Sequence, residues 1–97
     1  MPFMYILRCA DGSFYTGSTW NLEQRLWRHE HEGGARFVAK RRPFELVYVE
    51  ETDSIEEAFL REKQIQGWSR RKKLALIDGQ HDQLPTLAKF RSAPGHD

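Results

Sequence analysis

Glu62 interrupts an apolar stripe. Ile55, Ala58, Phe59 and Ile65 recur at three- and four-residue spacing, and Glu62 falls among them on the same helical face. A carboxylate turned inward is costly unless it is paired, hydrogen-bonded or bound to a cation. Two readings answer that demand. Glu62 is either the partner of Arg25 or a tyrosine hydroxyl, or a ligand for a divalent metal ion. Arg25 and His29 stand four apart, so a helix projects both from one face. An arginine fork matches two phosphate oxygens and keeps its charge. A histidine titrates near working pH and can donate to a phosphate or carry a proton. The bland alternative is a solvated helix face, since Glu30, His31 and Glu32 are polar too.

Tyr5 and Tyr15 offer phenols to the same chemistry only if they share a face of one hairpin. Asp11-Gly12 between two β-prone runs is a strong turn signal. A two-residue turn pairs position 5 with 18 and turns Tyr15 to the opposite face. A three-residue loop, Ala10-Asp11-Gly12 with Gly12 left-handed, pairs 5 with 17 and 7 with 15. The second arrangement is expected. Gly17 then lets backbone or substrate approach closely.

Net charge is only +1, yet the charges are segregated. Lys40, Arg41 and Arg42 form one basic cluster, and Arg70, Arg71, Lys72 and Lys73 form another. Acids gather at Glu50-Glu51, Asp53 and Glu56-Glu57. Segregation builds a positive face on a nearly neutral protein. Four cations in the first turn of a helix oppose its macrodipole, so an external anion such as a nucleic-acid backbone phosphate is the natural compensation. A solvated basic surface is the alternative for each cluster. Trp20, Trp27 and Trp68 could stack on bases, with Trp68 expected mostly in the core.

The elements that must position these groups follow from punctuation. Phe3 to Arg8 and Phe14 to Thr19 read as strands. Asn21, with Gln24 in a capping box, starts a helix that turns Leu22 and Leu26 inward and ends by Gly33-Gly34. Arg36 to Arg42 is ambiguous, at most a helical turn, closed by Pro43. Phe44 to Glu51 is a third strand with Leu46, Tyr48 and Glu50 on one side and Val47 and Val49 on the other. Ser54 and Glu57 cap the Glu62 helix, and Gly67 ends it. Ser69 opens a last helix with Leu74 and Ile77 toward the core. The expected fold is α+β: a three-stranded antiparallel sheet in β-β-α-β-α-α order, flanked by helices.

Ninety-seven residues allow one domain with one core. Residues 1–79 are expected to form it. Residues 80–97 read as a mobile tail in which Leu84 and Leu87 could dock. No run is long enough to cross a membrane. The start lacks the pattern of a secretion signal, and Cys9 is the sole cysteine, so a cytoplasmic location is expected.

Taken together, Tyr5, Tyr15-Thr16-Gly17, Arg25, His29 and Glu62, with Lys63 and the Trp68-Ser69…Lys73 segment, resemble the GIY-YIG nuclease domain. The likeness covers roughly residues 3 to 78 and is greatest to small stand-alone bacterial members. The first triplet here is Phe3-Met4-Tyr5, without its glycine and isoleucine, and the second is Tyr15-Thr16-Gly17. The resemblance implies a metal-dependent endonuclease acting on DNA, with RNA left open, and selecting by structure rather than sequence. It implies Glu62 as the only protein ligand of one Mg2+ or Mn2+ ion, which suits a hard cation that keeps several waters. It makes Tyr5 the general base, though a phenol with pKa of about 10 needs help near neutrality. Tyr15 would hydrogen-bond phosphate or water. Two other classes stay open: a nucleic-acid-binding module on the same fold with weak or no cleavage, and a protein-interaction domain whose cations meet an acidic partner.

Overall fold

The computed structural model describes residues 1–33 and 35–79. Gly34 and residues 80–97, with the tail and the Leu84 and Leu87 contacts expected there, lie outside the described residues. The elements run β1 (Phe3–Cys9), β2 (Phe14–Thr19), α1 (Leu22–His31), α2 (Arg36–Ala39), β3 (Phe44–Glu51), α3 (Ile55–Gln66) and α4 (Arg70–Asp78). They form an α+β fold around an antiparallel sheet of order β2-β1-β3. Among the described residues no helix is long and apolar enough to cross a membrane.

β1 is the central strand and is buried on both faces, because both of its residue sets are apolar. Tyr5 and Leu7 pack with Leu26, Val38, Phe44 and Leu46 beneath α1 and α2. Met4 and Ile6 pack with Val47, Tyr48, Ile65 and Ile77 beneath α3 and α4. Among the described residues the apolar side chains form two clusters, one on each side of the sheet, where a single core was expected. Deleting a fully buried side chain of this kind costs about 2–5 kcal/mol.

The β1–β2 hairpin uses the three-residue loop. Cys9 and Ser13 close it through Cys9 N–H to Ser13 O at 2.8 Å, and Gly12 sits at φ +85°. That register pairs Tyr5 with Gly17 and Leu7 with Tyr15. Both phenols thus lie on the α1 face of the sheet.

Strand β3 departs from simple alternation. Its pairing with β1 steps from Ile6–Tyr48 to Leu7–Leu46, leaving Val47 as the extra residue of a bulge. Leu46 consequently faces the same cluster as Val49, and Val47 shares the opposite cluster with Tyr48. The expected grouping of Leu46 with Tyr48 is corrected by that one added residue.

The helix starts follow the sequence, with altered reciprocity. Asn21 accepts from the Gln24 N–H, while the Asn21 N–H goes to the Thr19 hydroxyl. Ser54 accepts from Glu57 N–H, and the Glu57 carboxylate reaches Asp53 N–H. Helix α4 turns Ile77 inward with Leu76 beside it, but Leu74 is exposed, contrary to expectation. The less exposed stripe of α4 runs through Lys73, Leu76 and Ile77, at spacings of three and one, and Leu74 falls at its exposed margin. Phe59 likewise lies at the exposed margin of its stripe on α3.

A hydrogen-bonded network fixes α3 against β3. Arg61 Nε and Nη2 fork onto the two Glu50 oxygens at 2.9 and 3.2 Å, and the Tyr48 hydroxyl donates to Glu50 as well. Burial, followed by Glu50, pushes the Tyr48 phenol up to about 12.

Candidate active site

On α1, Leu22, Arg25, Leu26 and His29 fall at spacings of three, one and three, so all four share the stripe that meets the sheet. Arg25 and His29 therefore face inward beside Leu26 rather than lying on a solvated face. His29 is fully buried. Its ring meets those of Tyr15, Tyr5 and Phe44 edge-on at centroid distances of 5.3, 5.9 and 6.0 Å.

The Tyr5 hydroxyl and His29 Nε2 are 2.8 Å apart. Burial drives His29 down to about 4, with the Arg25 and Arg42 charges adding to the effect. A neutral imidazole therefore faces a phenol, and the natural assignment has Tyr5 donating. Tyr5 is itself fully buried, and that burial raises its pKa well above the ordinary phenol value, against the lowering effect of Arg25. His29 Nδ1 is buried with no partner among the described residues.

Arg25 sits against both phenols. Burial works against its charge, but hydrogen bonds and charge interactions with Tyr5 and then Tyr15 prevail, and its pKa is raised. Tyr15 is half-buried and stacks on Phe37 at 6.1 Å. Gly17 makes the arrangement possible. A Cβ there would lie 2.6 Å from both Cζ and Oη of Tyr5, closer than any real contact.

Glu62 approaches the same edge strand from the other face. Its side chain is 12% exposed. Oε1 accepts from Ser18 Oγ at 2.6 Å and Oε2 from Gln66 Nε2 at 2.8 Å, with Lys63 Nζ at 3.7 Å from Oε2. Gln66 also donates to the Thr16 carbonyl at 3.3 Å, tying α3 to β2. The negative charge of Glu62 contributes to the raised pKa of Tyr5. Ser18 follows Gly17 directly, so the edge strand carries the phenol side on one face and the carboxylate side on the other.

Each Glu62 oxygen keeps lone-pair capacity beyond the hydrogen bond it accepts. Among the described residues no group of three or more His, Cys, Asp or Glu side chains gathers. One carboxylate beside a hydroxyl fits a hard divalent cation completed by water and substrate oxygens, and does not fit a closed zinc-type site.

The basic clusters are less uniform than their sequence suggests. Arg42 donates to the His29 carbonyl at 2.7 Å and to the Glu32 carbonyl, so it closes the end of α1. Arg41 pairs with Asp11 at 3.0 Å and stacks on Phe37, while Lys40 is exposed. Arg70 donates to the Gly12 carbonyl at 2.7 Å and covers Phe14, and Lys72 lies over Trp68. Part of the compensation expected from an external anion is thus internal. Arg71 is exposed and Lys73 half-buried. Trp68 is half-buried on the α3–α4 cluster, whereas Trp20 and Trp27 are exposed.

Sequence reasoning missed Ser18 and Gln66. Ser18 shares a face with Met4 once the three-residue loop is adopted, and Gln66 stands four after Glu62 on one helix. Both signals were present, but they are ordinary polar residues until the carboxylate is seen between them.

Comparison with known proteins gives a consistent family. A model of the GIY-YIG catalytic domain matches residues 1–75. The UPF0213 protein SSP2268 of Staphylococcus saprophyticus is 45% identical over 75 residues, covering 77% of this chain and 92% of that protein. A UPF0213 protein of Staphylococcus aureus is 43% identical with the same coverage. The solution structure of the UPF0213 protein BH0048 from Bacillus halodurans is similar, with 40% identity and a TM-score of 0.53, covering 80% of this chain and 84% of that one. This chain belongs to the GIY-YIG catalytic-domain family.

Proposed function

We propose that the protein is a metal-dependent endonuclease that hydrolyses phosphodiester bonds in DNA, selecting by structure rather than sequence, and working in the cytoplasm. The observation that carries this reading is the convergence of Tyr5, Tyr15, Arg25 and His29 on the α1 face of the sheet, while Ser18 of the edge strand holds Glu62 on the α3 face. RNA is the alternative substrate on the same chemistry.

Glu62 would hold one Mg2+ or Mn2+ ion, which when bound neutralises phosphoryl charge and lowers the pKa of water. Arg25 forks onto the scissile phosphate. Tyr5, in a phenolate form favoured by the adjacent Arg25 charge and accepting from His29 Nε2–H, would take the proton of the attacking water. The water oxygen bonds to phosphorus as the bond to the 3′ oxygen breaks, and that oxygen leaves as a hydroxyl after taking a proton from solvent. Tyr15 donates to a phosphate oxygen. Arg71 and Lys73 contact flanking phosphates, with Lys40 extending that footing.

A second reading is a nucleic-acid-binding module with weak or no cleavage. It is favoured by the complete burial of Tyr5 and its raised pKa, which keep the phenol protonated. Cleavage of plasmid and branched DNA in Mg2+ or Mn2+, with wild type beside Glu62→Ala, separates the two. Cutting by wild type alone, with binding retained in the variant, supports the enzyme. Binding without cutting supports the module.

A further inference from the structure

We infer that a groove between the starts of α1 and α3 is a subsite for an unpaired nucleobase, so the strand being cut is single-stranded beside the scissile phosphate. This rests on the nuclease reading and specifies its substrate. The groove holds about 580 Å³ and is lined by Trp20, Arg25, Arg28 and Phe59, among others. That volume lies in the range of small-ligand sites, roughly 300–1,000 Å³.

Three features point to a base with its phosphate. Trp20 is 64% exposed and Phe59 48% exposed, so two large aromatic side chains stand in solvent on the rim of one groove. Exposed aromatics of this kind are the stacking platforms of single-strand binders, and stacking tolerates any base. Arg25 and Arg28 stand three apart on α1 and line that side of the groove, giving the sugar–phosphate backbone a cationic track. Glu56 lies on the α3 side and repels phosphate, which steers the backbone toward α1.

The groove is also continuous with the chemistry. Arg25 lines it and contacts the phenols, and Ser18 lines it and holds Glu62. A nucleotide seated here leads directly to those groups. A base still stacked in a duplex cannot reach Trp20 and Phe59 without being flipped out, whereas a flap or single strand offers it freely.

The test is oligonucleotide binding by the full chain in EDTA, where no cleavage intervenes. Fluorescence anisotropy is read for a thymidine 12-mer, the same strand with one abasic position scanned along it, and a blunt duplex. Wild type, Trp20→Ala, Phe59→Ala and the milder Phe59→Leu are compared, with thermal melting to verify folding. The expected result is about a 10- to 100-fold weakening of single-strand binding in Trp20→Ala and Phe59→Ala, with duplex binding changed less than about twofold. An abasic site at one position should reproduce the loss in wild type and add nothing in the variants. Equal single-strand affinity in wild type and both folded alanine variants overturns the proposal. A dimer in wild type that Trp20→Ala abolishes, without loss of DNA affinity, also overturns it and assigns the groove to a second copy. Failure of the nuclease reading registers separately, as absent cleavage in Mg2+ despite stacking-dependent binding in EDTA.

Discussion

The Tyr5 phenol lies directly over Gly17, in the space a side chain at that position would fill. The three-residue hairpin loop makes the two residues cross-strand partners, and the missing Cβ leaves room for the phenol to reach His29 and Arg25. Loop length, glycine and phenol are one device.

Gly17→Ala should displace Tyr5. A Cβ placed 2.6 Å from the ring must move an aromatic side chain walled in by the core. The expected cost is about 1–3 kcal/mol in urea unfolding, with cleavage reduced further than stability. In a Tyr5→Val background the same substitution should cost much less, and additive effects of the two changes would contradict the contact.

Ser18→Ala should leave the fold intact and loosen Glu62. The Ser18 Oγ–Glu62 Oε1 bond orients the carboxylate. Groups that orient a ligand are worth about 10–100-fold in metal affinity or activity. Metal titration of cleavage should show that shift, while the melting temperature moves little.

Stability should fall in mild acid because of His29. Its folded pKa is lowered to about 4 from an ordinary 6.5. Between those values the unfolded chain binds a proton that the folded chain refuses, so stability declines as pH drops from 6.5 toward 4. The full difference is about 3 kcal/mol. Urea midpoints across pH 4–7.5 should lose that slope in His29→Gln.

Arg42 and Arg71 should separate. Arg42 holds carbonyls at the end of α1, so Arg42→Ala should lower stability by about 1–3 kcal/mol and leave the salt dependence of DNA binding unchanged. Exposed Arg71 should do the reverse, with Arg71→Ala reducing the salt slope by about one phosphate contact.

Much of the fold was legible because local signals agreed. Asp11-Gly12, the caps at Asn21, Ser54 and Ser69, and Pro43 each marked a boundary that the chain adopts. The β3 bulge was not legible, since Leu46-Val47-Tyr48-Val49 is apolar throughout and alternation cannot reveal an added residue. Tyr5 could be placed beside Tyr15, and Arg25 beside His29, because hairpin register and helix spacing are short-range; that the two pairs meet was implied by the family resemblance. Their burial could not be read, because it depends on Phe44 and Phe37 arriving from distant segments. The contacts of Arg42 were illegible for the same reason: a basic triplet does not disclose which member turns back onto its own chain.

Glu62 carries the account, and substitution by its neutral isostere probes it most directly. Glu62→Gln keeps the shape that Ser18 and Gln66 contact but removes the charge that would hold a divalent cation. In a flap-DNA cleavage assay with Mg2+, the wild type should cut and fall silent in EDTA. The variant should stay folded, still bind DNA and remain silent in both. Cleavage by Glu62→Gln at the wild-type rate would contradict the assignment of this carboxylate as the metal anchor.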